Sequence, residues 1–289
     1  MLPFDDRDGY IWLDGDIVLW REAKSHVLSH ALHYGSQVFE GERSYNGKIF
    51  KSNLHTKRLK KSCEYLDFKL PIIEEKVDQL KHDLLEKNNL IDAYVRPFCW
   101  RGADTMGVAA NDTRIHMAIS VWDWPSYFDF ETKMKGIKLN ISEWKRPSPA
   151  SAPVHAKASG LYMICTLSKN MAERHGYQDS LMLDYRGYIA EATGANIFFV
   201  MKDNKIHTPI PDCFLNGITR QTIIEIAKKK NYDIIERHIL PEEMSNAVEC
   251  FLTGTAAEVT PVSQIDKYNF FPGDVTTQLI EEFNNFVNL

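Results

Sequence analysis

The stretch from Tyr188 to Val200 reads Tyr-Ile-Ala-Glu-Ala-Thr-Gly-Ala-Asn-Ile-Phe-Phe-Val. It predicts two short strands, Tyr188–Ala192 and Ile197–Met201, joined by a polar turn. Glu191 interrupts an otherwise apolar strand pattern, and a carboxylate buried in such a run must be paired. The alternative interpretation is that Glu191 lies on an edge strand, where solvent reaches it.

Further strands and helices surround this pair of strands. Apolar runs at Ser180–Asp184 and Ile206–Pro209 extend it into a meander with polar turns. Apolar residues at helical spacing predict one helix before the meander, Ser159–His175, and another after it, Thr219–Lys230.

Two hairpins are predicted near the N-terminus, because Asp14-Gly15 and Asn46-Gly47 each separate two apolar runs. Antiparallel hairpins mixed with several helices favour an α+β fold over a doubly wound sheet. The regular pattern breaks from Trp122 to Lys135, a segment that contains a proline. The sequence therefore predicts a smaller N-terminal α/β domain (1–122), an interdomain connection (123–135) and a larger C-terminal domain (136–289).

The composition of the 289 residues is that of a globular protein, with 44% hydrophobic and 25% charged residues. The net charge of −5 argues against a nucleic-acid partner, since such proteins usually carry a basic face. No run approaches the roughly 18 apolar residues of a membrane helix, and the acidic N-terminus shows no signal peptide. The five scattered cysteines predict neither a disulfide framework nor a metal site, and no His/Cys pair has the spacing of a zinc hydrolase. A cytoplasmic protein is expected.

Three features together indicate a phosphate site. Arg58 lies on the apolar half of its helix, where an arginine needs an anion or a carboxylate; the alternative is a boundary residue that reaches water. Leu215–Arg220 runs through Gly-Ile-Thr into a helix, and Phe251–Glu258 ends an apolar strand in Thr-Gly-Thr. Both places expose backbone N–H groups that can bind phosphate, although each alone is more typical of a structural turn. No P-loop and no Gly-x-Gly-x-x-Gly motif is present.

Lys157 stands among small residues, in Val-His-Ala-Lys-Ala-Ser-Gly160, after a proline-rich loop. Such surroundings can make a lysine amine a nucleophile, whereas an isolated lysine is usually a solvated surface group. A reactive lysine, a buried carboxylate and a phosphate cradle are together what a pyridoxal phosphate enzyme needs.

From about residue 8 to the C-terminus the chain resembles the fold-type IV pyridoxal phosphate enzymes, and most closely the branched-chain amino acid aminotransferases. The segments that carry the resemblance are His30–Gly41, His55–Leu59, Ala93–Pro97, Ala156–Gly160, Glu191–Phe198, Gly217–Arg220 and Gly254–Glu258. The resemblance implies two domains joined by a loop, pyridoxal 5′-phosphate as cofactor and a homodimer. It also implies transamination of L-leucine, L-isoleucine and L-valine with 2-oxoglutarate.

The resemblance assigns roles residue by residue. Lys157 would be the Schiff-base lysine and proton shuttle, Glu191 would pair with the pyridine nitrogen, and Tyr162 would bond the ring hydroxyl. The phosphate and its surroundings would be held by Arg58, Gly217, Ile218, Thr219, Gly254 and Thr255. The substrate would contact Tyr34, Phe39, Tyr94, Arg96, Trp124, Tyr127, Thr255, Ala256 and Ala257, with Arg96 taking the distal carboxylate of glutamate or 2-oxoglutarate.

Alternatives and departures accompany this assignment. A D-amino acid or amine transaminase, or a lyase of the aminodeoxychorismate type, shares the fold. A binding protein without activity is a further alternative, against which the presence of Lys157, Glu191 and Arg58 argues. Ala195 stands where the family often has a second glutamate, and His155 stands where a small residue is common.

Overall fold

The computed structural model describes residues 3–124, 131 and 134–288. The chain divides into two units, Met1–Pro125 with Ala156–Gly160 and Ser126–His155 with Leu161–Leu289. The segment that carries Lys157 therefore belongs to the first unit. The predicted connection, 123–135, lies mostly outside the described residues, and the domain limits drawn from the sequence stay a prediction.

The first unit is built on a seven-stranded antiparallel sheet with the order β2-β1-β7-β6-β4-β5, in which β3 also pairs with β6. Its strands are β1 (Tyr10–Leu13), β2 (Asp16–Leu19), β3 (Gln37–Phe39), β4 (Glu42–Tyr45), β5 (Lys48–Ile49), β6 (Ala93–Arg101) and β7 (Ile115–Asp123). Its helices are α1 (His30–Tyr34), α2 (Ser52–Tyr65) and α3 (Glu74–Lys87).

Both predicted hairpins are confirmed. Leu13 pairs with Asp16, so Asp14 and Gly15 alone form the first turn, with φ angles of 51° and 115°. Two positive φ angles are what a two-residue turn between twisted strands needs. Helix α2 ends at Tyr65, because the chain turns back at Asp67 with a φ of 57°.

The second unit is built on a nine-stranded mixed sheet with the order β10-β9-β8-β15-β14-β11-β12-β13, and β16 pairs with β15. Its strands are β8 (Ile137–Ile141), β9 (Asp179–Leu183), β10 (Ile189–Ala192), β11 (Asn196–Met201), β12 (Ile206–Thr208), β13 (Ile234–Glu236), β14 (Ala247–Gly254), β15 (Glu258–Ile265) and β16 (Tyr268–Asn269). Its helices are α4 (Met163–Arg174), α5 (Ile218–Lys229) and α6 (Asp274–Val287).

An additional pairing between β10 and β11 closes six strands of this sheet into a ring. Every residue of these two strands is consequently buried. The ring encloses a core that includes Ile197, Phe199 and Leu252. The predicted meander from β9 to β12 is confirmed, since each consecutive pair is antiparallel.

Other elements differ from the sequence patterns. The predicted helix Ser159–His175 begins as a 3-10 turn over Ser159–Tyr162 before α4. Pro241–Asn246 is also a 3-10 helix. Strand β15 and helix α6 were not predicted. Among the described residues, no helix has both the length and the apolar character needed to cross a membrane.

Candidate active site

Lys157 is held through its backbone in the first unit. Its N–H donates to Oγ of Ser62 on helix α2 at 3.0 Å, and Ser62 is fully buried. Its carbonyl accepts from the N–H of Phe39 at the end of β3, also at 3.0 Å. The side chain is half-buried, and Nζ lies 5.0 Å from the centre of the Phe39 ring. The peptide is thus fixed from two elements, and the amine end lies against an aromatic surface.

Arg58 finds the carboxylate that its position on α2 demands. Its Nε and Nη2 donate to the two oxygens of Glu40 at 2.6 and 2.8 Å. Glu40 is fully buried, and Nδ1 of His55 contacts it at 2.7 Å. The Arg58 guanidinium thus pairs with a buried carboxylate, while 18% of the side chain is exposed.

The ionisation of this group follows from its partners. Burial acts to raise the pKa of Glu40, but the charge and hydrogen bonds of Arg58 outweigh it and hold that pKa well below its usual range. Burial lowers the pKa of His55 to about 4. His55 is therefore neutral near pH 7, and its Nδ1 must donate because a carboxylate only accepts.

Aromatic rings surround Arg96 in the same unit. Its guanidinium carbon lies 4.7 Å from the ring centre of Phe39 and 5.1 Å from that of Tyr94. Nη2 donates to the Tyr94 hydroxyl at 3.1 Å, and Tyr94 packs 4.8 Å from Trp124. Nε of Arg96 is buried and has no hydrogen-bond partner among the described residues. Phe39 contacts both Arg96 and Lys157, and thus connects the lysine to a group that contains three further predicted substrate residues, Tyr94, Arg96 and Trp124.

Tyr34 is a predicted substrate residue of the first unit that is not part of this group of contacts. Tyr34 lies at the end of α1 with 46% of its surface exposed; its hydroxyl donates to the Met106 carbonyl and its ring packs on His30. Tyr127 lies outside the described residues.

Glu191 is paired in the second unit, as its place in an apolar strand requires. Its Oε1 lies 3.3 Å from Nε of Arg146, and its Oε2 accepts from Nδ2 of Asn196 at 3.2 Å. Strand β10 has a neighbour on each side, so the edge-strand alternative is wrong. Burial acts to lower the pKa of Arg146, but Glu191 raises it above its ordinary value. The pair therefore places a guanidinium charge beside the Glu191 carboxyl group.

The segment before helix α5 has the form expected of an anion site. Gly217 is the N-cap residue, and Ile218 and Thr219 in the first turn are 6% and 5% exposed. The first N–H groups of a helix have no partner within it. The N–H of Gly217 donates to Oδ1 of Asn196 at 3.1 Å. Buried Arg220 fixes the segment through Asn216 and the Pro209 carbonyl.

A cavity of about 400 Å³ lies in the second unit. Its wall includes Tyr162, Ala256 and Ala257 together with Thr193. Ala256 and Ala257 belong to the turn between β14 and β15, which begins after Gly254 and contains Thr255. Three predicted cofactor or substrate residues thus line one cavity.

Four residues of the site were missed by sequence reasoning: Glu40, Ser62, Arg146 and Asn196. Glu40 carried a usable signal, since it is a lone carboxylate in the Gln-Val-Phe-Glu-Gly segment after an apolar strand. Asn196 lies five residues after Glu191, but no local pattern assigns a bond between them. Each of these residues acts on a partner that only the fold brings near.

Comparisons with known proteins agree with this geometry. The family model for class IV amino-transferases matches residues 37–265. A probable branched-chain-amino-acid aminotransferase of Rickettsia felis is 42% identical, over 99% of each chain. The solved T.th. branched-chain amino acid aminotransferase complexed with N-(5′-phosphopyridoxyl)-L-glutamate is 36% identical, with a TM-score of 0.92 over 98% of this chain and 95% of that one. The same enzyme complexed with 4-methylvaleric acid gives a TM-score of 0.91 at 36% identity, again over 98% and 95%. The chain belongs to the class IV aminotransferases.

Proposed function

We propose that the protein is a pyridoxal phosphate-dependent aminotransferase that moves the amino group of L-leucine, L-isoleucine or L-valine to 2-oxoglutarate. The observation that carries this proposal is the Phe39 ring, which contacts both Lys157 and Arg96. The Lys157 amine and the Arg96 guanidinium thus lie against the same aromatic ring. Because a guanidinium can bind a carboxylate, this arrangement suits a dicarboxylic acceptor.

In this proposal, each group of the cofactor has an assigned partner. Lys157 would bond its aldehyde carbon, Glu191 its ring nitrogen and Tyr162 its ring hydroxyl. The phosphate would be bound by Arg58 and by the backbone around Gly217, Ile218, Thr219, Gly254 and Thr255. The paired carboxylate of Glu191 supports this fit, because an ionised acid is needed to keep a pyridine nitrogen protonated. The T.th. relative, which was solved with a phosphopyridoxyl ligand, adds support.

Lys157 performs the proton transfer in this proposal. When bound, the cofactor withdraws electrons from Cα of the amino acid and so acidifies its Cα–H bond. Nζ of Lys157 then removes the Cα proton, and it donates a proton when the reaction runs in reverse. The backbone bonds from Ser62 and Phe39 keep the lysine in place for this step.

Substrate selection follows from Arg96 and the rings beside it. Nε of Arg96, which has no hydrogen-bond partner in the described part of the chain, would donate to the distal carboxylate of glutamate or 2-oxoglutarate. The aliphatic side chain of the other substrate would contact Tyr34, Phe39, Trp124 and Tyr127. The α-carboxylate would be received by Tyr94, Thr255 and Ala256. One methylene in such a pocket discriminates by only about 1–3 kcal/mol. Leucine, isoleucine and valine should therefore all react.

We also propose a cytoplasmic homodimer. All five cysteines are free and buried, as is usual in a reducing compartment. The first unit exposes an apolar patch on α1 and two neighbouring loops, formed by Val27, Leu28, Leu32, Tyr34, Met106 and Val108. Surfaces of this kind are typical of protein interfaces.

The test is a comparison of kcat/KM with 2-oxoglutarate as acceptor. L-leucine, L-isoleucine and L-valine should react within about one to two orders of magnitude of each other. Their D-isomers and the matching amines should be poorer by more than that. Faster reaction of D-amino acids or amines would contradict the proposal and favour the other transaminases of this fold.

A further inference from the structure

Asn196 occupies the position that closes the ring of strands in the second unit. Strands β10 and β11 meet through the single pair Glu191 and Asn196. The turn between them is tight, since the N–H of Ala192 donates to the Ala195 carbonyl at 2.8 Å. Asn196 is 4% exposed. The pairing of β10 with β11 therefore fixes the position of the Asn196 side chain.

The amide of Asn196 uses both of its ends. Nδ2 donates to Oε2 of Glu191 at 3.2 Å and to the Leu215 carbonyl at 3.0 Å. Oδ1 accepts from the N–H of Gly217 at 3.1 Å. If the amide were flipped, its NH₂ group would face the Gly217 N–H, and its oxygen would face the two acceptor oxygens. Only one orientation therefore satisfies all three bonds.

We propose that Asn196 is a positioning residue that links the two cofactor-binding ends of the second unit. One end is Glu191, assigned to the ring nitrogen, and the other is the start of helix α5 from Gly217 to Thr219, assigned to the phosphate. The inference rests on the proposed function, because those two assignments define what Asn196 connects.

The surroundings of Asn196 indicate that it does more than close the ring of strands. Glu191 has the charged guanidinium of Arg146 beside Oε1, with Nε at 3.3 Å, and accepts a hydrogen bond on Oε2 from the neutral amide of Asn196. The approach of Gly217 is also close, since a Cβ added there would lie 2.3 Å from Oδ1 of Asn196. The amide therefore sets the direction of the carboxylate and the place of the helix start together.

The experiment uses the full-length protein loaded with pyridoxal 5′-phosphate. Nitrogen NMR of a ring-labelled cofactor reports protonation of the pyridine nitrogen, and phosphorus NMR reports the phosphate surroundings. The cofactor dissociation constant and the melting temperature are measured beside them. The control is Asn140→Ala, which removes a half-buried asparagine of the same sheet that bonds Ser180.

Asn196→Ala should move both NMR signals and weaken cofactor binding by about tenfold, the effect of one lost hydrogen bond to a charged group. Asn196→Asp keeps an acceptor for Gly217 but sets a second carboxylate against Glu191. It should move the ring signal and leave the phosphorus signal near that of the wild type. If Asn196→Ala fails to fold, the aspartate variant alone carries the test.

Unmoved signals in both Asn196 variants, or equal shifts in Asn140→Ala, would overturn the inference while leaving the proposed function intact. A wild-type protein that binds no cofactor would overturn the proposed function, and this inference with it.

Discussion

Single residues in the first unit are fixed by partners that lie far away in sequence. Ser62 holds the Lys157 backbone from 95 residues away, and Glu40 holds the Arg58 side chain. Helix α2 carries Arg58 and Ser62 one turn apart. The same helix therefore positions the Arg58 side chain and, through Ser62, binds the backbone of Lys157. The proposed proton transfer depends on the Lys157 side chain, whereas the position of Lys157 depends on the residues that bind its backbone.

Replacing Lys157 should abolish activity without unfolding the protein. A positioned proton-transfer group contributes about 100- to 10,000-fold, so Lys157→Ala should lose at least that much in kcat. Circular dichroism should show an unchanged fold. The control is Lys60→Ala, which removes an exposed lysine of helix α2 that pairs with Glu74. Wild-type turnover in Lys157→Ala would show that the lysine has been wrongly assigned.

The neutral state of His55 makes stability depend on pH. Its pKa is about 4 in the folded protein and about 6.5 when unfolded. The unfolded chain therefore binds more protons between these values, and stability falls as the pH drops through that window. Going from about pH 7 to about pH 5 should cost about 2 kcal/mol.

Urea denaturation of the wild type and of His55→Gln at the two pH values measures this loss. The variant should lose less on acidification, because it lacks the titrating imidazole. Glu40, whose pKa is lowered, contributes its own loss only at more acidic pH. An equal loss in both proteins would mean that His55 is not the group responsible.

At the scale of elements, the start of helix α5 requires a glycine at position 217. A Cβ on Gly217 would lie 2.3 Å from Oδ1 of Asn196, so Gly217→Ala must push the helix start away from β11. Cofactor affinity should fall by about tenfold, as for one lost hydrogen bond to a charged group.

Equilibrium dialysis of pyridoxal 5′-phosphate measures that affinity. Gly107→Ala is the control, because a Cβ there would meet only the Ala109 carbonyl, at 3.6 Å. Equal affinity in Gly217→Ala and the wild type would show that this helix start does not bind the cofactor.

Local chemistry explains which elements could be predicted. The hairpin at Asp14-Gly15 follows from two residues that accept positive φ, and the paired state of Glu191 follows from its apolar strand. The identity of its partner does not, because Arg146 reaches Glu191 from a loop 45 residues earlier. Strand β15 was missed since Glu258–Ile265 mixes polar residues and a proline into its run.

At the scale of the whole molecule, the apolar patch on the first unit bears on assembly. Leu32 is 69% exposed and Val108 is 82% exposed. Burying such side chains against a second copy would stabilise a dimer by the hydrophobic effect. The patch includes Tyr34, which the family resemblance places near the substrate.

Leu32→Glu should weaken the homodimer, because an unpaired charge buried in an interface costs several kcal/mol. The dimer dissociation constant should rise by at least about tenfold, as measured by analytical ultracentrifugation. The control is Ile73→Glu, which changes a residue 70% exposed outside the patch. A monomeric wild type, or a variant that dimerises as tightly, would contradict the proposed interface.

The most direct test of the central claim is the absorption spectrum of the purified protein before and after adding L-leucine without a 2-oxo acid. We expect a band of bound pyridoxal 5′-phosphate that L-leucine converts to the pyridoxamine form and 2-oxoglutarate restores. A cofactor band that L-leucine, L-isoleucine and L-valine all leave unchanged would contradict it.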